Sequence, residues 1–198
     1  MVAGYHLIWT VYGYWLPNDP RGSTSTEIRV EPIRPLGDIH YGRKPVQPSS
    51  AEIRAFHEQA RDILKHPVLT FDDDEIALVG KTIGEAMAER GTICHACAVM
   101  PDHVHLLIRR QGDRAEDMIQ LFQETKRAAL IGAGKRAATH PVWTAGAGWK
   151  GFLNTQRDFL REIEYIGRNP LKIGRPEQDW DFVVPYDGWL PTRSDFFV

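Results

Sequence analysis

The order of predicted strands and helices assigns this chain of 198 residues to the α+β class. Three observations predict it. Short segments are rich in β-branched and aromatic residues, as strands are, and longer segments carry the apolar period of amphipathic helices. In the middle of the chain two predicted strands follow each other with only a turn between them, which requires antiparallel pairing. The length is sufficient for one domain.

The first predicted element is a buried strand at Gly4–Tyr12, whose sequence GYHLIWTVY is rich in β-branched and aromatic side chains. Residues 17–50 hold six of the thirteen prolines, together with Asn-Asp-Pro and Gly-Ser turns. This composition predicts an irregular insertion at about 17–50. A second irregular segment, an acidic and aromatic tail, is predicted after about residue 175. Both are interpreted as parts of a single domain, 1–198.

Two helices are predicted after the insertion. The first spans Ser50–Lys65, where apolar residues recur at helical spacing. The second spans about Glu75–Arg90, with Asp73 or Asp74 as its N-cap, because a short acidic side chain accepts the free N–H groups of a first turn. Gly91 is expected to end it.

The remaining predicted elements are, in chain order, strands at Ile93–Met100 and His103–Arg110, a helix from Asp113 to about Leu130, a short strand within 142–152 and a helix at Thr155–Asn169. Pro170 ends the last helix, because proline removes a backbone donor and clashes with the preceding turn. The complete order is typical of a ferredoxin-like sandwich, a mainly antiparallel sheet with helices packed on one face.

The composition excludes several classes of protein. Hydrophobic residues make up 42% and charged residues 25%, as in ordinary soluble proteins. No stretch approaches the roughly 20 apolar residues of a membrane helix, and no basic segment precedes the apolar N-terminus as in a secretory signal. Two cysteines do not form a disulfide framework. We therefore expect a cytoplasmic protein.

Charge is distributed unevenly along the chain. The net charge is −2, yet residues 109–175 contain thirteen Lys and Arg against seven Asp and Glu. A locally basic region is compatible with a phosphate-rich partner. On charge alone, an ordinary mixed surface is the simpler interpretation.

The stretch MPDHVHLLI at residues 100–108 places two histidines one residue apart in a predicted strand. Because strand side chains alternate, His103 and His105 lie on one face and can bind one divalent ion together. A pair of ordinary histidines on a polar strand face is the alternative. Cys94 and Cys97 could imitate the rest of a zinc set, but positions 94 and 97 of a regular strand face opposite ways. Two buried structural cysteines are the better interpretation.

The stretch REIEYIGRNP at residues 161–170 forms a helix with one apolar face. Tyr165 falls close to the side opposite that face, and Asn169 lies four residues on, on the same side as Tyr165. Arg168 shares this polar face. The helix thus presents a tyrosine and an asparagine among basic residues, or simply carries a surface tyrosine.

Taken together, PDHVHLLI and the downstream YIGRNP resemble the HUH-type single-tyrosine transposases, whose name denotes His, a hydrophobic residue and His. The Tyr-Ile-x-x-Asn-Pro pattern is closer to the REP-associated branch of that family. The opening YHLIWTVYGYWLPNDPRG is similar to the first strand and loop of the same branch. The resemblance extends from Gly4 to about Pro170, and the family's fold is the ferredoxin-like sandwich.

The resemblance implies a chemistry. His103 and His105 would hold Mg²⁺ or Mn²⁺, with the Asn169 side-chain oxygen as the third ligand. Tyr165 would attack a phosphate of single-stranded or hairpin DNA, giving a 5′-phosphotyrosyl enzyme and a free 3′-hydroxyl that allow strand transfer. The protein would act as a monomer or a homodimer. Expected phosphate contacts are Arg109, Arg110, Lys126, Arg127, Lys135, Arg136 and Arg168.

Three alternatives remain open. The chain could bind DNA hairpins without catalysis, or hydrolyse a substrate with water activated by His103 and His105. In the hydrolase, Tyr165 would be dispensable and no covalent adduct would form. The third alternative is a structural domain with a chance His-x-His, which would bind no metal. Asp102 is interpreted as a turn residue, or else as an acceptor that orients a histidine.

Overall fold

The computed structural model describes residues 1–23, 25–28, 31–145 and 148–192. The sheet has four strands, β1 (Gly4–Thr10), β2 (Cys94–Val99), β3 (His103–Arg109) and β4 (Trp149–Leu153). The helices are α1 (Ser50–Ile63), α2 (Asp73–Arg90), α3 (Ala115–Gly132) and α4 (Gln156–Gly167), with 3₁₀ turns at Glu31–Leu36 and Pro170–Ile173. The strand order is β2-β3-β1-β4, and every neighbouring pair is antiparallel. The predicted α+β class and antiparallel sheet are confirmed.

One face of the sheet packs against α2 and α3. Alternate residues of β1 and β3, among them Leu7, Trp9, Val104 and Leu106, are buried there with apolar side chains of both helices. Trp9 stacks in parallel on Phe122 of α3. The burial of this face is the main source of the hydrophobic stabilisation of the domain.

Helix α4 packs on the opposite face, which corrects the expectation that the helices cover one face only. Phe159 and Ile166 of α4 are fully buried against Leu107 of β3 and small residues of β2. Gly4 permits this close approach, because a Cβ there would come within 2.4 Å of the Phe159 ring. Helix α4 follows β4 at the edge of the sheet, and from this edge the chain crosses to the face that α2 and α3 leave uncovered.

The two predicted irregular segments are largely ordered by contacts of their own. Within 17–50, Ile33 is buried with Leu16 and Phe56 of α1 in a small separate cluster. After 175, the tail runs beside β2: Val183 forms a parallel bridge to Cys94, and the Gln178 amide makes two hydrogen bonds to the backbone of Val99. Positions 24, 29, 30 and 193–198 of these segments lie outside the described residues.

Two details differ from the predictions. The N-cap of α2 is Asp72, not Asp73 or Asp74, and it forms a capping box with Glu75. A register irregularity between Cys94 and Ala96 in β2 places both Cys94 and Cys97 in the same core cluster, so they do not face opposite ways. Both cysteines are free and buried, as predicted. Within the described part of the chain, no helix is long and apolar enough to cross a bilayer.

Candidate active site

Three histidines meet on the α4 face of the sheet. The register of β1 against β3 pairs Thr10 with His103 and Ile8 with His105, and it pairs His6 with Leu107. Side chains of paired residues lie on the same face of an antiparallel sheet, so His6 joins His103 and His105. His6 and His105 are buried, at 1% and 2% exposure, whereas His103 is partly exposed at the strand end.

Close polar contacts join these rings into one row that ends in a carboxylate on each side. Glu162 Oε2 of α4 lies 2.9 Å from His6 Nδ1, and His6 Nε2 lies 2.9 Å from His105 Nδ1. His105 Nε2 lies 2.9 Å from His103 Nε2, and His103 Nδ1 lies 2.7 Å from Asp102 Oδ1. Asp102 takes both roles considered for it: it lies in the bend between β2 and β3, and its carboxylate accepts from His103 and so orients that ring.

Burial determines the charge of the row. It lowers the pKa of His105 well below the ordinary value, and the nearby His103, His6 and Lys172 act in the same direction. Burial also lowers the pKa of His6, although the Glu162 carboxylate opposes this. For Asp102, burial acts to raise the pKa, but the hydrogen bond and charge of His103 prevail and lower it. The two central imidazoles are therefore neutral at pH 7, the form that binds a metal.

Tyr165 of α4 stands beside the row. Its ring is edge-on to His105, with 5.5 Å between centroids and 85° between planes, and it is 6.0 Å from the centroid of His6. The side chain is 44% exposed. The apolar side of α4 is buried against the sheet, as the helical pattern predicted, and Tyr165 lies at the margin where helix, histidines and solvent meet.

Two further residues lie at this margin: Asn169, just before the 3₁₀ turn that follows α4, and Lys172 within that turn. Lys172 Nζ lies 4.2 Å from the centroid of the Tyr165 ring and donates a hydrogen bond of 3.2 Å to Asn169 Oδ1. The Asn169 amide nitrogen donates to the Tyr165 carbonyl at 2.8 Å, and Asn169 is buried at 6% exposure. The spacing of four residues thus connects Tyr165 and Asn169 directly.

The histidine pair fits a divalent ion as two neighbouring ligands. Adjacent ligands of an octahedral ion with bonds of about 2.1 Å lie about 3 Å apart, and the Nε2 atoms of His103 and His105 are separated by 2.9 Å. His6 cannot be a third ligand at that point, because it faces the opposite nitrogen of His105. Among the described residues, no group of three or more His, Cys, Asp or Glu is arranged to hold a metal. A third protein ligand among these residues would therefore be of another type, such as the side-chain oxygen of Asn169 that the resemblance implies.

Lys126 is wrongly predicted as a phosphate contact. Its side chain is fully buried between α3 and α2, where Nζ donates to the Thr82 carbonyl at 2.7 Å. Burial lowers the pKa of Lys126 to about 8. The helical period could not reveal this, because a lysine on the margin of an apolar face is normally solvated at its tip.

Most other predicted phosphate contacts hold the fold together. Arg136 pairs with the buried Glu75 at 2.6 Å, and Lys135 pairs with Asp74 at 3.0 Å. These two ion pairs attach the loop after α3 to the start of α2. Arg127 donates to the carbonyls of Ala138 and His140 in the same loop.

The last three predicted contacts lie elsewhere. Arg109 pairs with Asp187 at 2.8 Å and lies over the Trp189 ring, so it holds the tail. Arg110 follows it at the end of β3 and is partly exposed. Arg168 is exposed at the C-cap of α4, three residues after Tyr165, and its i,i+4 pair with Glu164 is a surface contact.

Sequence reasoning missed four neighbours of the site: His6, Glu162, Lys172 and Trp149. Trp149 of β4 is 45% exposed and edge-on to His6, with 5.4 Å between ring centroids. His6 could have been found from the sequence, because a histidine on a neighbouring antiparallel strand that faces the same side as His103 and His105 would lie beside them. Glu162 precedes Tyr165 by three residues, the spacing of one helical face.

The comparisons with known proteins gave structural likenesses alone. No family model matches the sequence, and no curated protein matches it. A REP-associated tyrosine transposase bound to a REP hairpin is similar at 14% identity, with a TM-score of 0.47 over 91% of this chain and 74% of that one. A chain described as a candidate transposase of Deinococcus radiodurans R1 is 14% identical, with a TM-score of 0.38 over 89% of this chain and 93% of that one.

Proposed function

We propose that the protein is a DNA transposase or nickase that cleaves and rejoins single-stranded DNA through Tyr165. One observation carries the proposal: an exposed tyrosine lies against a buried, neutral histidine whose other side faces a second histidine. A solvent-reachable phenol beside two histidines that could hold a metal is an arrangement suited to nucleophilic attack on a phosphate. A core tyrosine would instead bury its ring.

The reaction would proceed by attack of the Tyr165 oxygen on a backbone phosphorus. The bond from phosphorus to the phenol oxygen forms as the bond to the 3′ oxygen breaks. The phenolic proton passes to water, and the departing 3′ oxygen takes up a proton. Attack by another 3′-hydroxyl reverses these steps and joins the strands, so that no external energy source is consumed.

His103 and His105 would hold Mg²⁺ or Mn²⁺, with Asn169 Oδ1 as a third protein ligand. When bound, the ion withdraws electron density from the scissile phosphate and offsets the charge that develops there. Release of Asn169 Oδ1 from Lys172 would accompany this ligation, because the amide oxygen now accepts a hydrogen bond from that ammonium. Lys172 would then be free to contact the phosphate beside Tyr165.

The substrate would be single-stranded DNA presented by a hairpin, as the motif resemblance implies. Lys172 lies over the Tyr165 ring, Arg168 follows Tyr165 by three residues, and the exposed Trp149 offers a surface on which an unpaired base could stack. Tyr165 lies against a histidine of its own chain, so one chain can supply nucleophile and metal ligands. We therefore propose activity without a residue contributed by a partner, whether the protein is a monomer or a homodimer.

The test uses purified protein, Mn²⁺ and labelled single-stranded DNA from the repeats that flank its gene. We expect a DNA-linked band on a denaturing protein gel, which Tyr165→Phe and His103→Ala both abolish. Cleavage that survives Tyr165→Phe without a linked band would identify the metal-dependent hydrolase instead. Binding without cleavage by the wild-type protein would favour the non-catalytic hairpin binder.

A further inference from the structure

The Glu162–His6 pair lies behind His105, on the side away from His103. Glu162 Oε2 faces His6 Nδ1, and His6 Nε2 faces His105 Nδ1, each at 2.9 Å. His6 and His105 are buried, and the Glu162 side chain is 19% exposed. These groups face away from the Nε2 atoms that would bind the ion, so they do not touch it.

The positions of the protons follow from the chemistry of the donors and acceptors. An ionised carboxylate only accepts hydrogen bonds, so the His6 nitrogen that faces Glu162 carries a proton. A neutral His6 then accepts at Nε2, and the facing Nδ1 of His105 must carry a proton. In neutral His105 this leaves a free lone pair on Nε2, the atom that faces His103.

His103 reaches the same state by a shorter route. Asp102 accepts from His103 Nδ1 directly, at 2.7 Å, so that a His103 that binds the ion through its other nitrogen presents the lone pair of Nε2. The two lone pairs then face each other across 2.9 Å, an arrangement that a cation between or beside them would relieve. The strand partner of His6 is Leu107, which has no carboxylate. The carboxylate behind His105 therefore comes from α4, through Glu162 and His6.

We infer that His6 and Glu162 are positioning residues, which hold His105 in the form protonated at Nδ1 and so present its Nε2 to the divalent ion. The inference rests on the proposed function and deepens it. Glu162 lies on α4 three residues before Tyr165, so the helix that carries the nucleophile also sets the protonation of the ligand beside it. Displacement of α4 would therefore affect both the nucleophile and the metal site.

The first test measures Mn²⁺ binding to the purified protein without DNA, by electron paramagnetic resonance of free Mn²⁺. We expect Glu162→Gln and His6→Leu to weaken binding roughly 10- to 100-fold, the usual effect of removing a partner behind a metal ligand. Glu164→Gln is the matched control, because it removes the same charge from an exposed position of the same helix. Equal affinities for Glu162→Gln and Glu164→Gln would overturn the inference.

The second test reads the protonation of His105 itself, with ¹⁵N-labelled histidine and two-bond ¹H–¹⁵N correlation spectra of the metal-free protein. Wild-type His105 should show a protonated Nδ1 and an unprotonated Nε2, and the two variants should show a mixture. A wild-type His105 protonated at Nε2 would overturn the inference, even if His6→Leu failed to fold. Correct protonation with no DNA-linked band would leave the inference standing and remove the proposed function. A DNA-linked band together with an unchanged Mn²⁺ affinity in Glu162→Gln would support the proposed function and overturn the inference.

Discussion

Lys172 Nζ lies over the ring of Tyr165, 4.2 Å from its centroid, while it donates a hydrogen bond to Asn169 Oδ1. In the proposed reaction, a cation at this place would attract the negative charge that the phenol oxygen and the phosphate develop during attack. Lys172→Met keeps the length of the side chain and removes the charge. We expect the rate of adduct formation to fall on the order of 10- to 100-fold, with the thermal midpoint unchanged because the side chain is exposed. Quenched gel time courses with Mn²⁺ measure the rate.

Arg175→Met is the matched control for Lys172→Met. Arg175 is a cation three residues further on, and it pairs with Asp73 at the start of α2, away from Tyr165. Its loss changes the net charge equally. Equal rates in the two variants would mean that the charge of Lys172 contributes through the overall field alone.

Substitution of Arg168 should weaken DNA binding, whereas substitution of Arg136 should reduce stability. Arg168 is exposed three residues after Tyr165, so Arg168→Gln should weaken binding to a hairpin oligonucleotide and reduce the salt slope by about one. Arg136→Gln leaves the buried Glu75 carboxylate without its cation and should cost roughly 3–5 kcal/mol of unfolding free energy. Fluorescence anisotropy and urea unfolding measure the two effects. Weaker DNA binding by folded Arg136→Gln would contradict this division.

Lys126 should destabilise the protein at neutral pH. Its pKa is lowered from 10.5 to about 8, because the ammonium is buried between α2 and α3. Between pH 8 and 10.5 the unfolded chain holds more protons, so this lysine makes the unfolding free energy rise with pH. We expect Lys126→Met to be more stable than wild type at pH 7 by on the order of 1–3 kcal/mol, and the difference to shrink above pH 8.

The measurement is the difference in urea midpoint between wild type and Lys126→Met from pH 7 to 10. Burial raises the pKa of Cys94 to about 12 and also raises the pKa of Cys97, so both thiols make the unfolding free energy fall at high pH. Both proteins contain these cysteines, so their contribution largely cancels in the difference. A variant less stable than wild type at pH 7 would show that the hydrogen bond to Thr82 outweighs the cost of burial.

The buried histidines should make the fold sensitive to acid. Burial is the largest cause that lowers the pKa of five of them, His6, His57, His95, His105 and His140. As pH falls below about 6.5, the unfolded chain takes up protons that the folded state refuses, so the unfolding free energy falls. Urea midpoints between pH 7.5 and 5 should decline, with a smaller slope in His105→Gln. A flat profile in the wild type would contradict this.

The packing of the tail on α2 should depend on the absence of a side chain at Gly80. Trp180 lies against Gly80 so closely that a Cβ at Gly80 would come within 2.1 Å of the indole. Alanine normally favours a helix over glycine by about 1 kcal/mol, but here the clash should make Gly80→Ala destabilising. Trp180→Ala removes the clash and also removes packing. We expect the double variant to be less destabilised than the two single effects together, as urea unfolding would measure.

Much of the fold could be predicted from the sequence because its signals are local. The predicted strand at 103–110 and the helix ended by Pro170 agree with β3 and α4 to within about two residues, since alternation, caps and proline act over a few positions. The face on which α4 packs is not a local property. It depends on where β4 lies in the sheet, and no pattern within α4 specifies that.

The site residues that lie in sequence motifs could be predicted, whereas those that reach the site only through strand pairing or a turn could not. His103, His105 and Tyr165 lie in two recognisable stretches and meet in the structure. His6 joins them only through the register of β1 on β3, and Lys172 only through the 3₁₀ turn after α4. Among the basic residues, Lys126 failed as a predicted phosphate contact, because a count of charges does not show which cations the fold buries.

The course of the tail has a consequence for the order in which the protein is made. At Cys94 the outer edge of β2 is paired with Val183 and Val184, which the ribosome adds after all four strands of the sheet. Until they emerge, a nascent chain with its sheet otherwise complete exposes a bare strand edge, which is a template for pairing with other chains. The residues of the candidate site all precede Val183, so synthesis completes that site before it completes the protection of the sheet.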